Sequence, residues 1–232
     1  MNTVIVIGGS TGIGRAIAKA FAVENTDVQV TGIEPVEDMK LDFPATRHQL
    51  DVRNEQAVST FFARFTRIDV LVNCAGIIRR GGAEFTPQGF AEVIDINLNG
   101  TQRCCQAAHL ALKAAKGCII NTASMLSYFG SGFVPAYSAS KGGVTQLTRS
   151  LAIAWADDGI RVNALAPGWI ATELTAALNQ DPERSRELIE RTPMGRWGTP
   201  EDLAGPALFL ASAGAQFVTG AILPVDGGYA AR

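Results

Sequence analysis

Four consecutive apolar residues, Val4-Ile5-Val6-Ile7, run straight into Gly8-Gly9-Ser10-Thr11-Gly12-Ile13-Gly14, and helical spacing (Ile17, Ala20, Phe21) takes over from Arg15. A wholly apolar run this short suits a strand buried on both faces, the environment of a parallel sheet. Strand, glycine turn and helix in immediate succession aim the first helical amides at whatever lies beyond the strand, a ready site for a phosphate. The spacing Gly8-x-x-x-Gly12-x-Gly14 has one residue more in its first gap than the standard dinucleotide fingerprint. Two other readings compete: a turn with no ligand, and the Gly-x-Ser-x-Gly elbow of a hydrolase, which Gly8 to Gly12 also match. An elbow needs earlier strands beneath it and a histidine base. Only seven residues precede Gly8; His48 lies in a loop-to-strand region, and His109 sits in a helical pattern with no obvious acidic partner.

The alternation continues along the chain. Asp27 to Ile33 reads as a second strand, ending at Glu34 before Pro35. An acid there, about twenty residues past the glycine turn, accepts hydrogen bonds from an adenosine ribose and repels a 2′-phosphate, which favours NAD over NADP. A short strand ends at Leu50-Asp51-Val52, and Glu55 to Phe65 is an amphipathic helix with Ala57, Val58, Phe61, Phe62 and Phe65 on one side. Asp69 to Asn73 is another buried strand, followed by Cys74-Ala75-Gly76, small residues that let backbone approach a ligand closely. A helical region from Pro87 to Ala115 contains Asn97, a poor mid-helix residue that either marks a bend or is tolerated. Cys118 to Thr122 is a strand that delivers Ser124 at its carboxyl end, where open α/β sheets bind ligands. Helix from Pro135 to Trp155, strand from Ile160 to Leu165 and the break at Pro167-Gly168 follow. Two short helical patterns between Thr172 and Arg191 predict either a flap over a site, at 172–198, or a surface excursion. A helix starts at Thr199-Pro200, and Ala221 to Val225 is the last strand. The pattern predicts one α/β domain over 1–232, a doubly wound parallel sheet of about seven strands with helices on both faces.

Composition narrows the function classes. With 18% charged residues and 47% hydrophobic, the 232-residue chain suits a well-buried globular protein, not a disordered one. A net charge of −2 argues against a sequence-independent nucleic-acid binder. Cys74, Cys104, Cys105 and Cys118 form no Cys-x-x-Cys or metal-ligand pattern, so reduced thiols in a cytoplasmic protein without a metal are expected. The apolar start stops at Gly8 with no basic region before it, so no signal peptide is expected and the sequon Asn99-Gly100-Thr101 would go unused. Nothing between Asp202 and Asp226 is charged, but Gly205, Pro206, Gly214, Gln216 and Gly220 break the run. Helix, loop and buried strand is the better reading than a membrane span.

Tyr137 and Lys141 are four residues apart, so on a helix they share a face. A phenol with its ordinary pKa near ~10 is a poor base at neutral pH, and a neighbouring ammonium favours the phenolate. The pair is therefore a candidate acceptor for an alcohol proton.

Taken jointly, Gly8-x-x-x-Gly12-Ile13-Gly14, Asn73-Cys74-Ala75-Gly76, Asn97, Ser124, Tyr137-x-x-x-Lys141 and Pro167-Gly168 resemble the short-chain dehydrogenases/reductases, in that family's order and spacing over essentially the whole chain. Cys74 departs from the pattern where a second asparagine is usual, and Ile7 where a threonine is common. The resemblance implies an NAD-dependent oxidoreductase interconverting a secondary alcohol and a ketone. Tyr137 would be general acid/base, Lys141 would lower its pKa and hold the nicotinamide ribose, Ser124 would donate to the substrate oxygen, and Asn97 would hold a relay water. On the cofactor side it implies the turn residues Gly8, Ser10, Thr11, Gly12, Ile13 and Gly14, then Glu34 at the ribose, Asp51 at the adenine amino group beside Val52, and Asn73 at the ribose with Ala75 and Gly76. Pro167, Gly168, Ile170 and Thr172 would meet the carboxamide end. It also implies a homotetramer, for which the alanine-rich helices around Ala107–Ala115 and Val144–Ala154 offer flat faces; the tail from Tyr229 to Arg232 would reach a neighbouring subunit.

Local stretches at Ile77-Ile78-Arg79-Arg80, Ala123 to Ser127, Gly195-Arg196-Trp197-Gly198 and the carboxyl end are similar to sugar-acid dehydrogenases of the 2-deoxy-D-gluconate 3-dehydrogenase group. Val30 to Glu34 instead looks like dihydrodiol-type dehydrogenases of hydroxylated cyclic acids. Both imply an anionic hydroxylated substrate and carbohydrate-like chemistry, with Arg79, Arg80 or Arg196 (and Trp197 beside it) as the candidate cationic contact, each equally explicable as a solvated arginine. A 3-oxoacyl thioester reductase shares the implied fold and residues, but normally prefers NADP.

Overall fold

In a computed structural model, which describes residues 2–231, the chain forms one parallel seven-stranded sheet. In chain order the main elements are β1 (Asn2–Ile7), α1 (Gly12–Phe21), β2 (Thr26–Gly32), β3 (Thr46–Gln49), α2 (Glu55–Phe62), β4 (Val70–Asn73), α3 (Pro87–Ile94), α4 (Gly100–Ala115) and β5 (Cys118–Thr122). They continue with α5 (Pro135–Ala154), β6 (Arg161–Pro167), α6 (Ala176–Asn179), α7 (Pro182–Arg191), α8 (Ala204–Ala211) and β7 (Ile222–Val225). The strand order is β3-β2-β1-β4-β5-β6-β7, so the direction of winding reverses between β1 and β4, where Val4 pairs with Val28 on one side and Val70 on the other.

The continuous apolar runs are explained by two separate cores. On β1, Ile5 and Ile7 face the layer built from α2, α4 and α5, while Val4 and Val6 face the layer built from α1 and α8. Leu71 and Ile119 repeat the first orientation, and Val70, Val72 and Ile120 the second. Each such side chain, fully buried, contributes about 1.5–3 kcal/mol. Toward one edge of the sheet the pattern changes: on β2 Asp27, Gln29 and Thr31 alternate with Val28 and Val30, and β3 is polar throughout.

Element boundaries differ from expectation where backbone geometry overrides the apolar pattern. The helical region from Pro87 is not continuous: α3 passes into a π-helical segment, Asp95–Asn99, before α4 begins. Asn97 lies inside that segment, so of the two readings of this residue the bend is correct. Leu50, Asp51 and Val52 lie just past the end of β3, because Leu50 N–H bonds to Gly32 O at the last rung between β2 and β3. The uncharged stretch after Asp202 resolves into α8, a loop and β7, and no helix among the described residues is long and apolar enough to cross a membrane. His109 does have an acidic partner, Asp158, at 2.7 Å; the aspartate comes from beyond the end of α5 and was invisible in the local sequence. The four cysteines are free thiols, and burial pushes Cys105 up to about 12 and Cys118 up to about 11.

Tyr229 is buried within its own chain, its ring edge-on to Phe129 and Trp169. Beyond it Ala230 is half-buried and Ala231 exposed; Arg232 lies outside the described residues.

Candidate active site

The carboxyl ends of the strands carry three adjoining chambers. The first, about 350 Å³, lies over the winding reversal and is lined by Gly8, Ser10, Thr11, Glu34, Asp51, Val52, Ala75 and Gly76. The second, about 400 Å³, shares Gly8, Thr11, Cys74 and Gly76 with it and runs past Gly12, Ile13 and Gly14 to Ser124, Tyr137, Lys141, Pro167, Gly168, Ile170 and Thr172. The third, also about 400 Å³, shares Ser124, Tyr137, Gly168, Leu174 and Thr175 with the second and opens on its far side. Residues separated by well over a hundred positions are thus brought into one groove.

The turn after β1 is shaped to admit a ligand. Gly8 has φ +71° and Gly12 φ +50°, and a Cβ on Gly14 would lie 2.1 Å from Gly8 O. A Cβ on Gly12 would extend toward Thr172, whose Cγ2 is 3.6 Å away, so the bare backbone here forms the floor of the groove. Gly8 N–H donates to Thr31 Oγ1 at 3.2 Å, a side-chain bond from β2 at the turn where Ile7 replaces the common threonine. Thr122 Oγ1 donates to Cys74 Sγ at 3.2 Å at the other departure. At the adenosine end, the Glu34 carboxylate and the Ser10 hydroxyl both lie over Gly32, where an added Cβ would come 2.5 and 2.6 Å from them. Asp51 is held by Arg53 at 2.6 Å, which pulls its carboxyl below the usual range. The two joined chambers, bare backbone in the middle and acids at one end, fit a dinucleotide.

Asn73 ends β4 with its side chain buried. Its Nδ2 donates to Asn121 Oδ1 at 2.9 Å and to Cys105 Sγ at 3.3 Å, so the amide points into the core and ties β4 to β5 and α4. What β4 offers the groove is backbone.

Tyr137 and Lys141 sit one turn apart near the start of α5, with the Lys141 ammonium 5.6 Å from the centre of the Tyr137 ring. Lys141 is buried and donates to Thr122 O at 2.7 Å. Burial lowers it to about 8. The phenol does not show the depression expected from its neighbour: burial pushes Tyr137 up, the Ser124 hydroxyl opposes that, Glu84 adds to it and Arg80 opposes it. Ser124 is buried at the start of a one-turn helix, Met125–Ser127, with its Oγ accepting from Leu126 N–H.

Asn97 is buried. Its Oδ1 accepts from Ile77 N–H at 2.8 Å, and its Nδ2 donates to Ile77 O at 3.0 Å and Ser140 Oγ at 3.1 Å. The amide fixes the loop after β4 against α5.

Of the arginines singled out in the sequence, only Arg80 lines the chamber beyond Tyr137. Arg79 is clamped by Glu92 at 2.7 Å and faces the adenosine end; Arg196 is paired with Asp202 at 2.7 Å in a separate cavity. Trp197 is edge-on to Trp169 and donates to Ser185 Oγ, outside the chamber lining. Two arginines that sequence reasoning missed, Arg184 and Arg191, join Arg80 there. Both come from α7, and Leu174, Thr175 and Leu178 of the same 172–198 segment also line the chamber.

A family model described as enoyl-(acyl carrier protein) reductase matches residues 8–230. The chain belongs to the short-chain dehydrogenase/reductase family, and is an NAD(P)-dependent oxidoreductase acting on a hydroxyl-bearing carbon. It is similar to 2-dehydro-3-deoxy-D-gluconate 5-dehydrogenase of Bacillus subtilis (strain 168), 42% identical over 100% of this chain and 95% of the relative. The enzyme of that name from Escherichia coli (strain K12) is 41% identical over 98% and 95%. Among solved structures, a putative 2-deoxy-D-gluconate 3-dehydrogenase from Agrobacterium tumefaciens with bound NADP superposes with a TM-score of 0.91 at 41% identity, over 100% of this chain and 97% of that one.

Proposed function

We propose that this protein interconverts a secondary alcohol and a ketone on a sugar acid, with NAD as its preferred cofactor. The observation that carries the substrate class is the set of unpaired cations beside the reacting groups. Arg80, Arg184 and Arg191 line the chamber that Ser124 and Tyr137 open into, and among the described residues none of the three makes an ion pair with a carboxylate. Arg80 donates to Leu174 O, while Arg184 and Arg191 stack on Phe133 and on Tyr229 with Phe129. The lining carries three guanidinium groups against one carboxylate, Glu187, an excess of positive charge that favours a bound anion, and bidentate pairing with a carboxylate suits guanidinium geometry.

In the oxidative direction Tyr137 accepts the alcohol proton while Ser124 donates to the same oxygen and orients it. Lys141 places positive charge near the phenol and the nicotinamide ribose. The bound nicotinamide supplies the hydride acceptor. Asn97 acts by holding Ile77 and Ser140 in place. NAD preference rests on Glu34 over Gly32, where a 2′-phosphate would meet a carboxylate, and on the pairing of Arg53 with Asp51 and Arg79 with Glu92, which leaves neither guanidinium free for that phosphate. Free thiols and an NAD(P)-dependent reaction support a cytoplasmic location, and the alanine-rich faces of α4 and α5 support a homotetramer.

A panel of gluconates, uronates and polyols assayed with NAD and NADP in parallel tests this. Turnover of carboxylate-bearing substrates with NAD is expected, and Arg80→Gln should raise their KM about 10–100-fold, the loss of one charge-assisted contact. Turnover confined to neutral polyols, or a 3-oxoacyl thioester reduced in preference with NADPH, overturns the proposal.

A further inference from the structure

Glu84 is the one acidic side chain among the described residues that is fully buried, at 0% exposure. It sits in a single helical turn, Ala83–Phe85, reached through Gly81 and Gly82, both with positive φ (65° and 83°). Its Oε1 accepts from Arg79 N–H at 2.9 Å and its Oε2 from Tyr137 N–H at 2.9 Å. A carboxylate removed from water needs compensation. Here its partners are two backbone amides, one of them at the amino end of α5, and among the described residues no ion pair joins it.

The demand for it comes from α5. That helix begins at Pro135, which has no N–H, after Val134, whose side chain cannot cap. Tyr137 N–H, at the third helical position, would be an orphan donor in a buried place. Glu84 reaches it across 53 residues of sequence. The same carboxylate grips the loop after β4, whose next residues down and up, Ile78 and Arg80, line the far wall of the substrate chamber. That loop is tied to α5 a second time, where Asn97 bonds both Ile77 and Ser140. Two bridges thus fix the wall bearing Arg80 against the helix bearing Tyr137.

We propose that Glu84 is a positioning residue for the reaction: it sets Tyr137 at the start of α5 and holds Ile78 and Arg80 opposite it, so that the phenol and the Arg80 guanidinium keep one spacing. This rests on the reading of Tyr137 as the proton-exchanging group. The polar and charged groups facing Tyr137 are Ser124 from the segment after β5, Lys141 from α5, Arg80 from the loop after β4, and Glu84 itself. Glu84 raises the phenol and Arg80 lowers it, so removing the carboxylate moves the Tyr137 midpoint downward.

Glu84→Gln and Tyr137→Phe, made side by side, test the proposal. Three readouts apply: melting, kcat and KM on the best-used sugar acid of the panel with NAD, and titration of the phenol by NMR of protein carrying 13C at tyrosine Cζ, with the Tyr137→Phe spectrum giving the assignment. In folded Glu84→Gln, kcat is expected to fall at least tenfold, KM for NAD to stay within twofold, and the Tyr137 midpoint to drop. Unchanged kcat, or a lower kcat with the midpoint where wild type has it, overturns the proposal. Full activity in Tyr137→Phe removes the underlying reading instead, and is seen without reference to Glu84. If Glu84→Gln does not fold, Glu84→Asp keeps the charge but loses the reach; a wild-type kcat in that variant is equally fatal. In the wild-type protein the Tyr137 amide should exchange slowly with deuterium, and rapid exchange there also rejects the bridge.

Discussion

At the residue scale, chemistry concentrates on two side chains with opposed environments. Tyr137 is pushed up by burial and Lys141 pushed down to about 8, so each is driven toward its neutral form. Tyr137→Phe should keep cofactor affinity and lose kcat by about 10²–10⁴-fold, the usual worth of a positioned acid/base group, as steady-state rates and cofactor titration will show. Lys141 also leaves a signature in stability. In the folded protein it releases its proton near 8, whereas in the unfolded chain it holds it until about 10.4. Between those values the unfolded state binds more protons, so folding stability rises with pH across that window. Without cofactor, wild type should gain stability relative to Lys141→Met as pH climbs from 7 to 10, measured by urea unfolding at each pH; a flat difference would contradict the burial of this charge. The motif Tyr137-x-x-x-Lys141 was legible in the sequence because its spacing is local. The fate of Arg79 and Arg196 was not, since their carboxylate partners, Glu92 and Asp202, neutralise them only once the chain has folded.

At the scale of elements, the turn between β1 and α1 is the least tolerant piece. A methyl group on Gly14 would meet Gly8 O at 2.1 Å, backbone that cannot move aside without reshaping the cradle. Gly14→Ala should cost about 1–3 kcal/mol of stability, as overpacking does, and weaken NAD(P) binding more than tenfold; thermal melts with and without cofactor measure both. The apolar runs gave away this strand–turn–helix unit because burial on two faces leaves little alternative. The interruption at Asp95–Asn99 was only half legible: an asparagine in a helical pattern signals a bend, but its π-helical form depends on the Ile77 backbone, which takes up the amide. Glu84 gave no signal at all. An acid in a loop looks solvated until a helix without its own cap packs against it.

For the whole molecule, several of the exposed apolar residues lie on helices suited to packing. Leu110 on α4 is 79% exposed and Ile153 on α5 is 81% exposed, both within the alanine-rich stretches, while Phe209 and Phe217 stand out near β7. If the proposed homotetramer uses these faces, a charge at Leu110 or Ile153 should leave the fold intact and give a smaller species in sedimentation velocity; an unchanged mass would remove these faces from that proposal. The single doubly wound domain was legible because strands and helices alternate without a linker. Its strand order required the registers, which no local pattern contains. That order bears on how the protein comes into being. β1 finds one neighbour within about thirty residues but the other only at Val70–Asn73, and the wall beyond that waits for β5. On the ribosome the crevice has a single side until β4 emerges, and Tyr137 arrives later still. Such distant parallel pairings are slow to form. A dinucleotide therefore has nothing to grip in the nascent chain: it stabilises the finished topology by mass action and cannot steer the route to it.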